Sequence, residues 1–189
     1  MKIGVDLDDT LGNFIPALVE FHNNVYGTKI KVEDFKSYRF WETWGGTLEQ
    51  AVEKVYEFFK TPYFKNIKPV EGAKEVLERL KKNNELFIIT ARQESIRKET
   101  EEWLNKNYPN IFSKIYFTNQ YSLGGTETTK KKICDELEMD VLIEDNINYT
   151  FECAGPNRKV YLIDRPWNQS AELPQNAKRV YSWKEINIK

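Results

Sequence analysis

Asp6 and Asp8 stand two residues apart at the end of a short β-branched run, KIGVD (2–6). On an extended backbone, side chains at that spacing face the same side, so both carboxylates can converge on one point while Leu7 turns away. Other apolar runs end in polar residues too. Thr90 closes ELFIIT (85–90) and leads into Ala91 and Arg92, while Glu144 closes VLIE (141–144) and leads into Asp145 and Asn146. Lys130, Lys131 and Lys132 open the segment that feeds VLIE. If Asp145 joins Asp6 and Asp8, like charges about 4 Å apart repel by roughly 4 kcal/mol at an effective dielectric near 20. A divalent cation resolves that conflict. An all-oxygen ligand set favours magnesium over zinc, with coordination positions left for water and a phosphate.

These residues work together only if the elements bearing them end at one edge. KIGVD, ELFIIT, KIYF (114–117), VLIE and KVYLI (159–163) read as buried strands. Helical spacing lies between them, with Ala73, Val76, Leu77 and Leu80 before the second run and Ile133 and Leu137 before the fourth. That alternation predicts an α/β fold, a Rossmann-like parallel sheet with helices on both faces and ligands outside the carboxyl ends of its strands. Residues 7–84 separate the first two runs, far more than the dozen or so a crossover needs. Phe14–Tyr26 reads as a helix with Pro16 in its first turn and Gly27 as its stop. Thr47 and Gln50 have capping-box spacing ahead of the stripe Leu48, Ala51, Val52, Val55 and Phe59. The expected division is an α/β core over 1–12 and 84–189 and a small helical cap over 13–83. The cap is rich in aromatic residues, most of them destined for its own core. The stretch from Tyr38 to Trp44 lacks clean periodicity, so rings such as Trp41 and Trp44 are candidates to face the cleft and stack on a planar base.

Composition narrows the choices. With 28 basic and 29 acidic residues and a net charge of −1, bulk electrostatics suggest neither a nucleic-acid polymer nor a membrane as partner. No secretory leader or membrane span is evident, which gives a cytoplasmic expectation. Cys134 and Cys153 lack metal-ligand spacing and read as reduced structural thiols. His22 is the only histidine, which excludes a Ser-His-Asp triad and a histidine-bound zinc centre. It is expected on the cap surface or a helix.

DLDDT, the strand-end threonine of IITAR, a helix-borne lysine and the acidic pair of LIEDN together resemble the four motifs of the haloacid dehalogenase superfamily. The resemblance spans Asp6 to Asp145. It implies that Asp6 attacks phosphorus to give a phosphoaspartate, and that Asp8 protonates the leaving oxygen and then activates water, staying protonated while Asp6 is ionised. Thr90 and Lys130 would bind the phosphoryl oxygens, and Asp6, Asp145 and the main-chain carbonyl of Asp8 would hold magnesium. Lys130 is preferred over Lys131 and Lys132 by its offset from the acids of the fourth run, because Ile133 and Leu137 mark the buried face. Glu144 stands where many relatives have aspartate, so its part stays open. Arg92 either clamps a substrate anion or pairs with helix carboxylates. The short cap, the length and the loop Asp164–Asn168, placed at the entrance, resemble the 5′(3′)-deoxyribonucleotidase branch and its bacterial nucleotidase relatives. The implied reaction is magnesium-dependent hydrolysis of nucleoside monophosphates. The alternative is a sugar, polyol or amino-acid phosphate. A non-catalytic phospho-receiver is disfavoured, since Tyr116, Phe117 and Thr118 put no carboxylate at the end of the third run. A homodimer stays open as a further partner.

Overall fold

The computed structural model describes residues 1–122, 124–169 and 172–188. Six strands, β1 (Lys2–Val5), β2 (Glu85–Thr90), β3 (Lys114–Phe117), β4 (Val141–Glu144), β5 (Lys159–Ile163) and β6 (Ala177–Val180), form one sheet in the order β3-β2-β1-β4-β5-β6. Every neighbouring pair is parallel. Five strands occupy the expected runs, β1 stopping at Val5. The sixth was not expected. Its sequence, AKRV, buries only Val180 fully and carries two charges, which suits an edge strand but gives no apolar run to read.

Successive strand residues point to opposite faces, and helices cover both. On one face Ile3, Val5, Leu86, Ile88, Val141 and Ile143 share a core with Ala73, Val76, Leu77 and Leu80 of α5 (Ala73–Leu80) and Trp103 and Leu104 of α6 (Arg97–Asn107). On the other, Phe87, Ile89, Leu142 and Val160 pack with Ile133 and Cys134 of α7 (Lys130–Glu136) and Cys153 of α8 (Ile147–Cys153). The two cysteines are buried free thiols. Gly4 faces this second layer. A Cβ there would come within 2.8 Å of Ile89 Cδ1 and 3.2 Å of Leu142 Cδ1, so the neighbouring side chains already fill its space.

The insertion contains α1 (Phe14–Tyr26), α2 (Trp41–Trp44), α3 (Leu48–Phe59) and α4 (Pro62–Lys65). Gly27 ends α1 with φ 65°. Thr47 and Gln50 cap α3 reciprocally, with N···O distances of 3.3 and 3.1 Å. Helices α1, α3 and α4 pack together and α2 packs on α3, around Phe14, Phe21, Phe58 and Phe64, whose rings meet Phe58 at 5.4 to 5.6 Å. Entry and return run side by side: Asn13 N donates to Lys68 O at 2.9 Å, Val70 N donates to Leu11 O at 2.7 Å, and Gly12 bridges Pro69. Helix α5, within the span expected for the cap, lies beyond this return and packs on the sheet and on the 3-10 turn Trp183–Glu185. Among the described residues no helix is long and apolar enough to cross a membrane.

His22 lies on α1 but is buried, its ring stacked on Trp44 at 4.7 Å and 4°. Nδ1 meets Thr28 Oγ1 at 2.8 Å, and Nε2 lies 3.3 Å from Lys54 Nζ. Burial first, then the Lys54 charge, push the imidazole down to about 4 from an ordinary 6.5. The unfolded chain therefore takes up a proton near pH 6.5 that the folded chain refuses until about pH 4. The contribution of neutral His22 to stability is complete above pH 6.5 and is lost as the pH falls through that window. Urea titrations at pH 7, 5.5 and 4.5 should show a smaller acid loss of stability in His22→Phe than in the wild type. Equal losses would mean that His22 titrates freely in the fold.

Candidate active site

The strand order reverses between β1 and β4, so the chain leaves these adjacent strands in opposite directions and opens a crevice at their carboxyl ends. Asp6 follows β1 and continues the ladder, its N–H donating to Ile143 O at 2.9 Å. Glu144 and Asp145 end β4. Asp6, Glu144 and Asp145, all buried, offer carboxylate oxygens within 4.8 Å of one another. Lys130 at the start of α7 reaches them, with Nζ 2.5 Å from Asp6 Oδ1 and 2.8 Å from Glu144 Oε2. It is 1% exposed, whereas the Lys131 and Lys132 side chains are 54% and 66% exposed and pair with Asp135 and Glu136 one turn on. Thr90 is fully buried at the end of β2, its hydroxyl accepting from Arg92 N at 3.2 Å.

Asp8 is held apart from the acid cluster by Arg92. Nε donates to Asp8 Oδ2 at 3.0 Å and Nη2 to Oδ1 at 2.7 Å, while Nη1 donates to Thr100 Oγ1 at 3.1 Å. The guanidinium carbon also lies 4.8 Å from the Phe64 ring of α4. Arg92 thus pairs with a carboxylate of the loop after β1, rather than of a helix, through Nε and Nη2. Asp9, with φ 58°, accepts from Ile15 N at the start of α1 at 3.0 Å to Oδ1, and its Oδ2 lies 3.3 Å from the Tyr38 hydroxyl.

Several neighbours were assigned no contact with the acids from sequence. Asp145 Oδ2 accepts from Tyr38 Oη at 2.6 Å and Trp167 Nε1 at 2.7 Å, and its Oδ1 accepts from Thr10 Oγ1 at 3.3 Å. Asn168 Nδ2 donates to Asp145 O at 2.7 Å. The Tyr149 ring lies 4.4 Å from Lys130 Nζ, and its hydroxyl hydrogen-bonds Gln120. The loop expected at the entrance therefore inserts Trp167 and Asn168 against the acids. Trp44 packs on His22 and Phe40 inside the insertion, and Trp41 is half-buried at the first position of α2.

Three carboxylates face one ammonium in this pocket. Burial pushes the Asp6 carboxyl up to about 7 against the pull of Lys130, with Asp145 and Asp8 adding to the rise. Burial, reinforced by Asp6, holds Glu144 well above the carboxylate range, and burial raises Asp145. Lys130 is held charged, because Asp6 and Glu144 outweigh its own burial. Asp6 is therefore an acid whose ionisation this pocket resists. Excess buried negative charge in an all-oxygen donor set fits a hard divalent cation, with Asp6, Asp145 and Glu144 as the carboxylates that would hold it.

The same architecture occurs in a HAD hydrolase from Entamoeba histolytica, with TM-score 0.61, 18% identity and coverage of 99% of this chain and 95% of that one. It also occurs in a HAD-superfamily hydrolase from Geobacter sulfurreducens, with TM-score 0.61, 14% identity and coverage of 97% and 93%. The fold is that of the haloacid dehalogenase superfamily. A nucleotidase of Clostridium acetobutylicum is 28% identical over 186 residues, 98% of this chain and 91% of the relative. A 5′(3′)-deoxyribonucleotidase of that organism is 25% identical over 146 residues, 76% and 72% of the two chains. The family model described as 5′ nucleotidase, deoxy (pyrimidine), cytosolic type C protein matches residues 1–188. The chain belongs to that family and is a phosphatase of the 5′-nucleotidase kind.

The excess charge has a measurable consequence. Asp145→Asn removes one buried negative charge yet keeps an amide oxygen to accept from Tyr38 and Trp167. With EDTA at pH 7.5 its melting temperature should exceed that of the wild type by several degrees, and magnesium should raise it less. A lower melting temperature in EDTA would show that the Asp145 charge stabilises the fold.

Proposed function

We propose that this chain is a magnesium-dependent phosphomonoesterase that hydrolyses nucleoside monophosphates through a phosphoaspartate on Asp6. The observation that carries the reading is the buried contact of Asp6 with Lys130 beside Glu144 and Asp145 at the crevice between β1 and β4. Magnesium held there would supply the positive charge that keeps Asp6 ionised and offsets charge on the phosphoryl oxygens. Asp6 attacks phosphorus, and the bond to the nucleoside oxygen breaks. Asp8 delivers the proton to that leaving oxygen, then takes one from the water that attacks the phosphoaspartate, releasing phosphate and restoring Asp6. For this, Asp8 exchanges part of its contact with Arg92 for the substrate. Arg92 is better suited to setting the orientation of Asp8 than to clamping phosphate, because its Nε and Nη2 grip the Asp8 carboxylate from two sides and its Nη1 is tied to Thr100. Thr90 and Lys130 neutralise the phosphoryl oxygens in the transition state.

The cap in this reading is the helical unit between the two hinge strands, residues 14–67, with α5 assigned to the α/β core. Nucleotide preference is supported by family membership and by the aromatic character of that unit. A cytoplasmic site of action suits the substrate class. Homodimerisation is not required, because every residue assigned a role belongs to one chain.

The test is phosphate release across nucleoside monophosphates and sugar phosphates, with and without magnesium. Nucleotides should be turned over fastest, and only with the cation. Equal or faster release from sugar phosphates would overturn the substrate assignment alone. Asp6→Asn should lose on the order of 10³-fold or more in kcat, and near-normal turnover would refute the nucleophile. Asp8→Ala should lose roughly 10²- to 10⁴-fold with KM less affected; unchanged kcat would remove its proton-transfer role.

A further inference from the structure

Asp145 Oδ2 takes two donors, Tyr38 Oη at 2.6 Å and Trp167 Nε1 at 2.7 Å. A carboxylate oxygen has two in-plane lone pairs, so this one is saturated. Oδ1 receives only the longer contact from Thr10 at 3.3 Å and is the atom left for a cation. The donors differ in origin. Thr10 belongs to the loop after β1, and Trp167 and Asn168 to the turn after β5, all part of the α/β layer. Tyr38 alone comes from across the hinge, from the irregular stretch between α1 and α2.

Its ring is embedded at both ends. It meets Trp167 edge-on at 5.8 Å and Phe40 at 5.9 Å, and Phe40 in turn meets Phe35 at 5.8 Å and Trp44 at 5.2 Å. Phe35 is fully buried. Displacement of the inserted helices therefore carries the Tyr38 hydroxyl with it and releases one of the two donors on Oδ2.

We infer that Tyr38 is a positioning residue for Asp145, and that through it cation binding and the seating of the inserted helices are linked. The inference rests on the reading of Asp6, Glu144 and Asp145 as a cation site. With Tyr38 in place, the Asp145 carboxylate is fixed with Oδ1 holding only the longer Thr10 contact. When the insertion lifts, the carboxylate loses that constraint and holds the cation less well. Linkage is reciprocal, so the bound cation favours the seated insertion to the same degree. Removal of an outer hydrogen-bond partner of a ligand typically lowers metal affinity 10- to 100-fold.

Magnesium titration by calorimetry on the phosphate-free protein should give a dissociation constant about tenfold higher for Tyr38→Phe than for the wild type, with melting temperatures in EDTA close to each other. Amide hydrogen exchange over residues 32–44 should slow on adding magnesium to the wild type and respond much less in Tyr38→Phe. Trp167→Phe, which removes the donor from the α/β layer, should weaken binding yet keep the magnesium effect on exchange. Wild-type affinity in Tyr38→Phe overturns the inference and leaves the cation site standing. So does exchange over 32–44 in the wild type that magnesium does not change, a result independent of how any variant folds. A wild type that binds no magnesium overturns the cation site itself.

Discussion

Surplus negative charge buried at the carboxyl ends of β1 and β4 is the constraint around which the rest of this structure is arranged. Asp6, Glu144 and Asp145 crowd into one pocket, with Lys130 as the buried cation between two of them. Carboxylates in such a place need either a counter-charge or a proton. The fold supplies part of the first through Lys130 and blunts the rest with directed donors: the Tyr38 hydroxyl, the Trp167 indole and the Thr10 hydroxyl on Asp145, and the backbone N–H of Asn146 on Glu144 at 3.1 Å. Glu144, whose longer arm left its part open, stands with one oxygen on Lys130 and the other on the Asn146 amide.

Much of this was legible in the sequence, because the informative features are local. Parallel strands buried on both faces read as short β-branched runs, and residues ending them face the ligand edge whatever the helices between do. Asp6, Thr90, Glu144 and Asp145 follow directly. Lys130 follows from its offset to the acids of the fourth run, with Ile133 and Leu137 marking the buried face, which is again local. What could not be read depends on pairing across long separations. Tyr38 and Trp167 lie 107 and 22 residues from Asp145 along the chain. Neither has a neighbour in sequence that marks it as a donor to a carboxylate. Arg92 reaches Asp8 across 84 residues. Strand β6 is not legible for a different reason, since an edge strand with polar alternation resembles a loop.

The boundary of the insertion shows where periodicity misleads. Helix α5 has the same amphipathic spacing as the helices before it, so the pattern alone extends the inserted unit through it. Backbone pairing of residues 11–13 with 68–70 closes the insertion earlier, and the apolar stripe of α5 then meets Ile3, Val5, Leu86 and Ile88 in the sheet core. A stripe tells that a helix is buried on one side. It does not tell against what.

That pairing also joins the hinge to the chemistry. The loop from Asp6 to Gly12 is folded on itself by Leu11 N and Gly12 N donating to Leu7 O at 2.9 and 3.0 Å, and by Asp9 N donating to Gly12 O at 2.7 Å. Arg165 adds two donors to Asp9 O, at 3.0 and 2.6 Å, and Trp183 Nε1 donates to Thr10 O at 2.9 Å. The loop is thus pinned to the α/β layer through Asp9 and Thr10, while its last residues form one strand of the hinge. Asp6 is 5% exposed and Lys130 1%, so both are shielded from solvent at the end of the pinned loop. Leu11–Asn13, which pair with residues 68–70, lie beyond the pinned turn. The Asp6 carboxylate is therefore held on a fixed strand end, in register with β4 through its N–H on Ile143 O, while the connection to the inserted helices begins only five to seven residues further on.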